Sequence, residues 1–131
     1  VTALRGGGLM VPTVHDAARL TLPELMAALR EAIERARRGQ LRSSDLADST
    51  ITVSNLGDLG TDIVYGVIYP PQVALVGLGR VAPRPVVQDG RVVAAPTVHL
   101  TLAADHRASD GLVAARFLAA LTERLAHPEG L

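Results

Sequence analysis

Apolar residues recur along the chain in short alternating or continuous runs that are typical of β-strands. The stretch "TITVS" alternates apolar and polar residues, whereas residues 73–78 are continuously apolar, as in a strand buried on both faces. Two apolar segments flank an Asp-Gly pair, which predicts a tight hairpin. The pattern predicts strands within residues 1–14, 50–54, 73–78, 85–96 and 97–105.

Two further segments repeat their apolar residues every three or four positions, which predicts amphipathic helices. The first is predicted over residues 21–40, because Thr21 and Glu24 form a capping box and Gly39 suits the C-terminal cap. The second is predicted to begin after Asp110 and to end near the last proline. The expected buried positions are Leu22, Leu25, Leu29, Ile33 and Ala36 in the first helix, and Leu118, Leu121 and Leu125 in the second.

The order of these elements predicts an α/β fold. No internal repeat and no long linker divides the 131 residues, so we expect one domain of two layers, with both helices on one face of a mixed β-sheet. A chain of this length buries roughly two thirds of the surface that its unfolded form exposes. Because aromatic residues make up only 2% of the sequence, the core is expected to consist of Val, Leu, Ile and Ala.

Charge and cysteine content exclude several classes of function. Thirteen basic residues, all of them arginine, balance thirteen acidic ones, so no basic face favours a nucleic acid or an anionic membrane as partner. Cysteine is absent, which excludes disulfides, thiolate metal sites and a cysteine nucleophile, and any reacting thiol must therefore come from a substrate. No run approaches the roughly 20 apolar residues of a membrane span. With no signal-peptide pattern at its start, the chain is expected to be cytoplasmic, in a bacterium.

Two glycine-containing stretches invite a phosphate or nucleotide interpretation. The triple glycine Gly6–Gly8 is followed neither by a Lys-Ser/Thr pair nor directly by a helix, so a hairpin or bend is favoured over a phosphate cradle. The "GLG" of residues 77–79 resembles half of a dinucleotide fingerprint, but it lacks the third glycine and a following helix. Neither stretch predicts a nucleotide site.

A histidine and an aspartate stand at the junction between the last strand and the last helix, in "AADHRASDG". A neutral imidazole can accept a proton, so His106 suits a general base. Asp110 suits the N-cap of the helix, and Ser54 ends a strand that runs into a glycine-containing loop. The spacing alone leaves two interpretations open: a catalytic base, or a loop histidine before a capped helix.

The remaining histidines lack such a setting. His99 alternates within a predicted strand, His127 lies beside the last proline, and His15 has no polar motif around it. A zinc site formed by His99 and His106 would need further ligands that the sequence does not offer. No metal site is predicted.

Three blocks, in this order, carry a resemblance to a known family: "TITVSNLGDLGTD", "VIYPPQVALVGLGRV" and "VVQDGRVVAAPTVHLTLAADHRASDG". They resemble the C-terminal part of the catalytic domain of the dihydrolipoamide acyltransferases, the core subunits of 2-oxoacid dehydrogenase complexes. The upstream "GGGLMVPTVHDAARLTLPEL" is similar to a further block of that family, so the likeness spans nearly the whole chain.

The H-x-x-x-D-G pattern is shared with chloramphenicol acetyltransferase and with the condensation domains of peptide synthetases. The S-N-x-G and P-P-Q blocks favour the dihydrolipoamide branch. The resemblance implies a chloramphenicol-acetyltransferase-like fold, an α/β two-layer sandwich with a mixed β-sheet, as found in coenzyme A-dependent acyltransferases.

The resemblance also implies roles for three residues. His106 corresponds to the general base, Asp110 to the acidic residue that maintains the architecture of the site, and Ser54 to the hydroxyl that hydrogen-bonds the tetrahedral oxyanion. The implied reaction moves an acyl group between dihydrolipoamide, carried on a separate lipoyl domain, and the substrate coenzyme A. It needs no metal and forms no acyl-enzyme.

The same resemblance implies an assembly. The family forms homotrimers, and larger cubic or icosahedral cores, with His106 and Ser54 meeting across an interface between subunits. Residues 1–131 are expected to be the C-terminal portion of a catalytic domain that begins upstream of Val1 and whose upstream part holds an arginine partner for Asp110. The lipoyl and peripheral-subunit-binding domains, through which the 2-oxoacid decarboxylase and dihydrolipoamide dehydrogenase components bind, are absent from this stretch.

Some positions depart from the family pattern. Ala108 and Ser109 stand where relatives usually have two larger apolar residues, so packing behind the loop is expected to be loose. The "SNLG" of residues 54–57, where succinyl-type cores more often have T-N-G-G, favours an acetyl or branched-chain substrate, and loop 57–66 is expected to contribute to the acyl pocket. Two alternatives remain: a non-catalytic core scaffold, and a stand-alone coenzyme A-dependent acetyltransferase. A shortened chain can also fold and be inactive.

Overall fold

The computed structural model describes residues 2–3 and 8–130. Its strands are β1 (Thr2–Ala3), β2 (Leu9–Met10), β3 (Ile51–Asn55), β4 (Ala74–Leu78), β5 (Ala82–Gln88), β6 (Arg91–Thr97) and β7 (Leu100–Ala104). Its α-helices are α1 (Leu22–Arg37) and α2 (Gly111–Ala126). The mixture and order of elements confirm the predicted α/β class.

The central sheet has three strands in the order β3-β4-β7. β4 runs parallel to β3 and antiparallel to β7, so the predicted continuous apolar run is indeed the strand that is bonded on both sides. The remaining strands form two separate antiparallel pairs, β1-β2 and β5-β6, rather than joining one mixed sheet as expected. The chain leaves the central ladder at Arg80, whose N–H donates to the Thr61 carbonyl instead of to a strand.

The β5-β6 hairpin turns where the sequence predicts it. Asp89 and Gly90 have φ values of 50° and 74°, the left-handed backbone that a two-residue hairpin turn requires. The paired strands extend further than predicted, from Ala82 to Thr97, so the last strand is shorter and begins at Leu100. The N-terminal pair β1-β2 matches the predicted hairpin, although Gly6 and Gly7 lie outside the described residues.

Helix α1 begins and ends as its local signals indicate. The backbone N–H and the hydroxyl of Thr21 donate to the Glu24 carboxylate at 2.8 and 2.6 Å, and these bonds lower the pKa of Glu24. Gly39 follows the helix with φ of 67°, the conformation that ends helices at low cost in a glycine.

The apolar face of α1 is less buried than predicted. Ala32 and Ala36 are buried, but Leu22 is 50% exposed and Leu29 is also exposed. The helix contacts β1, whereas α2 contacts β7 of the central sheet. The expected stripe is therefore wrong for Leu22 and Leu29, whereas Leu25 and Ile33 are half-buried. The surface that α1 meets is a two-stranded pair of very short strands, which is too small to cover the whole stripe.

Helix α2 is capped as predicted and lies against the central sheet. Asp110 has extended backbone, and its carboxylate accepts the Val113 N–H at 2.9 Å. Leu118 and Leu121 are half-buried, but Leu125 is exposed.

The chain exposes more surface than a compact monomer of its size. Its accessible area is 9556 Å², against about 6600 Å² expected for a folded monomer of this mass. Within the described residues no large apolar side chain is fully buried, and the buried apolar set consists of Ala32, Ala36, Val64 and Val76. The predicted residue types form the core, but the core is small.

An extended stretch, residues 61–69, lies across one face of the central sheet; we call it the crossing segment. The Thr101 hydroxyl of β7 donates to the Val64 carbonyl in this segment. Gly77 of β4 lies between them, since a Cβ placed there would be 2.6 Å from the Val64 oxygen and 2.5 Å from the Thr101 oxygen. The absent side chain at this position lets the segment approach the sheet.

Replacement of Gly77 by alanine is expected to lower the free energy of unfolding by about 1–3 kcal/mol, because the added methyl overpacks this contact. Gly111→Ala is the matched control: a Cβ there has no neighbour within 4 Å, so alanine should be neutral or stabilise by less than about 1 kcal/mol. Urea denaturation of both variants measures the difference. Equal stability of Gly77→Ala and the unsubstituted protein would contradict the packing argument.

Candidate active site

Ser54 lies in β3 on the face of the sheet that the crossing segment covers. Its register partners are Gly77 of β4 and, across that strand, Thr101 of β7. The residue is only 8% exposed, and within the described part of the chain its hydroxyl has no hydrogen-bond partner. The hydroxyl oxygen is nevertheless not fully buried, so the hydroxyl can donate to an external acceptor.

The end of the sheet next to Ser54 carries a cavity of about 360 Å³, lined in part by Asn55, Gly57, Asp58, Leu78, Arg80 and Leu125. The loop that forms its wall turns at Gly57, whose N–H donates to the Asn55 side chain at 3.0 Å, and a Cβ at Gly57 would lie 2.6 Å from the Gly79 oxygen. Arg80 lies 2.5 Å and Arg84 3.0 Å from the carboxylate of Asp62, whose pKa they lower by hydrogen bonding. These contacts fix the start of the crossing segment.

His106 lies in an exposed turn that follows β7. The turn is bonded to the sheet, since the Asp105 N–H donates to the Val73 carbonyl at 2.8 Å. It is also closed on its other side, where the Asp105 carbonyl accepts the N–H groups of Ala108 and Ser109 at 2.9 and 3.0 Å. The imidazole is therefore mounted on a backbone that the end of the sheet holds in place.

The carboxylate of Asp105 makes further bonds within the same turn. It accepts the Arg107 backbone N–H at 2.9 Å and two guanidinium N–H groups of Arg107, the shortest at 2.7 Å. These bonds lower the pKa of Asp105 to about 2. The sequence analysis assigned no role to Asp105 and missed these contacts.

Ser54 and His106 lie at opposite ends of the central sheet. Ser54 lies opposite Gly77, near the C-terminal end of β4. His106 follows Ala104, which lies opposite Ala74, the first residue of β4. Strand and residue spacings place their backbones roughly 15–20 Å apart. Asp110 starts α2 beyond the His106 turn, and in the described residues no cation contacts its carboxylate. The structure brings His106 and Asp110 together in one loop but not Ser54.

The "PPQ" block contributes a polar network that the sequence did not reveal. The Pro70-Pro71 peptide bond is cis, and Gln72 follows it. The Gln72 side chain accepts the Thr52 hydroxyl at 2.5 Å and donates to Ser49 at 2.8 Å. The only feature of the sequence that could have indicated this network is Thr52, a polar residue on a predicted strand, and it indicates no particular partner. The network secures the start of β4, next to the His106 turn.

An apolar cleft of about 170 Å³ separates α2 from the sheet behind the same turn. Ser109 lines it, together with Ile51, Val76, Leu102, Val113 and Phe117, whereas Ala108 is exposed and is not part of the lining. The cleft lies behind the loop that contains Ala108 and Ser109, where loose packing was expected.

The other histidines form no cluster. His15 Nε2 lies 2.9 Å from the Ser44 carbonyl oxygen, and His127 Nδ1 lies 3.4 Å from Glu129. The Nδ1 atom of His99 is buried and has no partner in the described residues. Across residues 2–3 and 8–130 no three metal-binding side chains come together, and no helix is long and apolar enough to cross a membrane.

Comparisons with known proteins identify the family. The model of the 2-oxoacid dehydrogenases acyltransferase (catalytic domain) matches residues 2–131. The dihydrolipoyllysine-residue acetyltransferase component of the pyruvate dehydrogenase complex from Staphylococcus epidermidis is 38% identical over 93% of this chain and 28% of its own length. The chain therefore belongs to the family of 2-oxoacid dehydrogenase acyltransferase catalytic domains.

Two solved structures have the same fold. The cubic core of the pyruvate dehydrogenase multienzyme complex matches with a TM-score of 0.86 and 29% identity over 98% of this chain and 53% of that one. The dihydrolipoamide acetyltransferase (E2p) of Azotobacter vinelandii matches with a TM-score of 0.84 and 29% identity over 97% of this chain and 52% of that one. That structure was studied for the role of a serine, a histidine and an asparagine in the catalytic mechanism. The neighbours confirm the expected acyltransferase fold, of which this chain spans about half.

Ser109→Val is expected to raise the free energy of unfolding by about 1 kcal/mol, because the added methyl groups would fill part of the apolar cleft. Ala108→Val is the matched control, since its side chain is exposed and should change stability little. Thermal denaturation of the two variants compares them. A loss of stability in Ser109→Val would show that the cleft cannot accept a larger side chain.

The Asp105 carboxylate is expected to titrate near pH 2 in the folded protein. Because this pKa lies below the ordinary 3.8, the ionised group stabilises the fold above about pH 4, and that contribution is lost as the pH falls towards 2. Arg107→Ala should move the pKa of Asp105 up towards its ordinary value. Carboxyl carbon NMR titration measures both. An unchanged titration in the variant would contradict Arg107 as the cause.

Proposed function

We propose that this chain provides part of the active site of a dihydrolipoamide acetyltransferase, with His106 as base and Ser54 as oxyanion donor. The observation that carries the proposal is Ser54, a residue only 8% exposed whose hydroxyl has no partner in the described residues, together with a histidine mounted at the other end of the same sheet. The reaction would exchange an acetyl group between coenzyme A and dihydrolipoamide on a separate lipoyl domain.

The spacing of the three residues supports this assignment. Ser54 and His106 are 52 residues apart, and Asp110 follows His106 after four more. The serine, histidine and asparagine studied in the Azotobacter vinelandii enzyme have the same two separations along their chain. Aspartate replaces asparagine here, and both side chains offer an oxygen that can cap a helix.

The proposed chemistry begins with proton transfer. His106 takes the proton of the attacking thiol as its sulfur forms a bond to the thioester carbonyl carbon. The carbonyl electron pair moves to oxygen and gives a tetrahedral intermediate. When the intermediate collapses, the carbon–sulfur bond to the leaving thiolate breaks and His106 returns the proton to that sulfur.

Ser54 would act on the oxygen of this intermediate. A hydroxyl without an internal partner needs no bond broken before it donates to the developing negative charge. Removal of one such donor typically costs about 2.7–4 kcal/mol of transition-state stabilisation. The cavity beside Ser54 gives a ligand access to that end of the sheet.

One copy of the chain does not bring these two residues together, so we propose that a second copy does. The accessible area exceeds that of a compact monomer of this mass by roughly 3000 Å², which leaves surface to bury against further protein, both the rest of the domain and a neighbouring copy. A cyclic trimer gives every subunit one neighbour on each side and every site one histidine and one serine. The solved relative that forms a cubic core supports larger assembly.

The finer assignments follow from the relatives. The similar proteins are acetyltransferase components of pyruvate dehydrogenase complexes, so we propose acetyl transfer, and the branched-chain alternative has no support among them.

The decarboxylase and dehydrogenase partners are proposed to bind through domains outside residues 1–131. The scaffold and stand-alone alternatives predict, respectively, no transfer and no use of a lipoyl domain. The cytoplasmic location stays a prediction.

Complementation between inactive subunits tests both the residues and the interface. In the full-length parent protein, His106→Ala and Ser54→Ala are each expected to lower acetyl transfer by about 100-fold or more. Coexpression of the two variants should restore about a quarter of the wild-type rate, because a random mixed ring pairs an intact histidine with an intact serine at one site in four. Transfer from acetyl-CoA to dihydrolipoamide is the measurement.

The control is coexpression of Ser43→Ala with His106→Ala, where Ser43 is an exposed serine in the turn that follows α1. Half of the sites then keep both residues, because only His106 is altered. Full activity of the His106→Ala variant would remove the histidine from the mechanism. Two inactive variants that fail to complement would place both residues in one subunit.

A further inference from the structure

We propose that Asp105 is the positioning residue of His106 and acts by accepting the backbone N–H of Arg107. This inference rests on the proposed function, in which His106 is the base. It assigns a role in catalysis to a residue that touches neither the thiol nor the thioester.

The imidazole of His106 has no hydrogen-bond partner of its own in the described residues. Its direction therefore depends on the backbone that carries it. Asp105 fixes that backbone with every polar group it has: its N–H bonds to Val73, its carbonyl to two later N–H groups, and its carboxylate to Arg107. The turn is thus closed on both sides of the histidine by one residue.

The backbone bond should matter more than the ion pair. The Asp105 side chain is 21% exposed, but the Arg107 side chain is 85% exposed, so water and salt screen the guanidinium. The Arg107 backbone N–H lies 2.9 Å from the Asp105 carboxylate, only two residues away in sequence. This bond does not require a long, flexible side chain to become ordered. The position of the acceptor oxygen, rather than the charge, is expected to orient His106.

Three substitutions separate these two effects in the full-length, assembled protein. Asp105→Asn keeps the acceptor oxygen and removes the charge, Asp105→Glu keeps the charge and displaces the oxygen, and Asp105→Ala removes both. We expect kcat within about threefold of wild type for Asp105→Asn, and 10- to 100-fold lower kcat for the other two. KM for coenzyme A should change little in all three, because the proposed role of Asp105 is to hold the turn and not to bind substrate.

Asp45→Ala is the matched control. Asp45 also accepts a backbone N–H, from Arg42 at 2.9 Å, and a guanidinium N–H, from Arg35 at 3.2 Å. It lies in the turn after α1, and its hydrogen-bond partners are outside the His106 loop. Its loss should lower stability without lowering kcat.

A second measurement keeps the proposal separate from the proposed function. Hydrogen exchange of the amides of residues 107–109 should speed up in Asp105→Ala and Asp105→Glu but not in Asp105→Asn. If His106→Ala retains transfer, the proposed function fails, and this exchange pattern still tests whether Asp105 holds the turn. Wild-type kcat in Asp105→Glu, or a kcat in Asp105→Asn as low as in Asp105→Ala, would overturn the positioning role.

Discussion

The pairing of β4 on both sides is the constraint on which the site depends. β3 runs parallel to β4 and β7 antiparallel, so the C-terminal end of β3 and the C-terminal end of β7 lie at opposite ends of the sheet. Ser54 lies near the first and His106 follows the second. No rotation of either side chain bridges that distance, so topology rather than loop conformation keeps Ser54 and His106 apart within one chain.

Close contact between the crossing segment and β4 determines how Ser54 is buried. A Cβ at Gly66 would lie 2.0 Å from Leu75, and one at Gly79 would lie 1.9 Å from the Asp62 oxygen. Together with Gly77, these glycines let the segment lie directly on the strand next to Ser54. The segment therefore covers the face of the sheet on which Ser54 lies.

Local signals predicted the local structure of this chain. The capping box, the Asp-Gly turn and the N-cap at Asp110 all involve residues within four positions of each other, and each forms as predicted. The separation into three sheets and the exposure of Leu22 could not be predicted in this way, because they depend on what surface each element meets. The roles of Thr101 and Gln72 were missed for the same reason, since their partners are 37 and 20 residues away.

The His106 loop shows why an aspartate can stand where a related enzyme has an asparagine. Two carboxylates bracket the loop: Asp105 accepts the N–H of Arg107, and Asp110 accepts the N–H of Val113. In both cases the bond needs an oxygen at a fixed distance from the backbone, which an asparagine also provides. The charge adds an attraction to the N-terminal end of α2 at the second position. The shared requirement is therefore an acceptor that holds each end of the loop, and sequences that differ in charge can build the same support for the histidine.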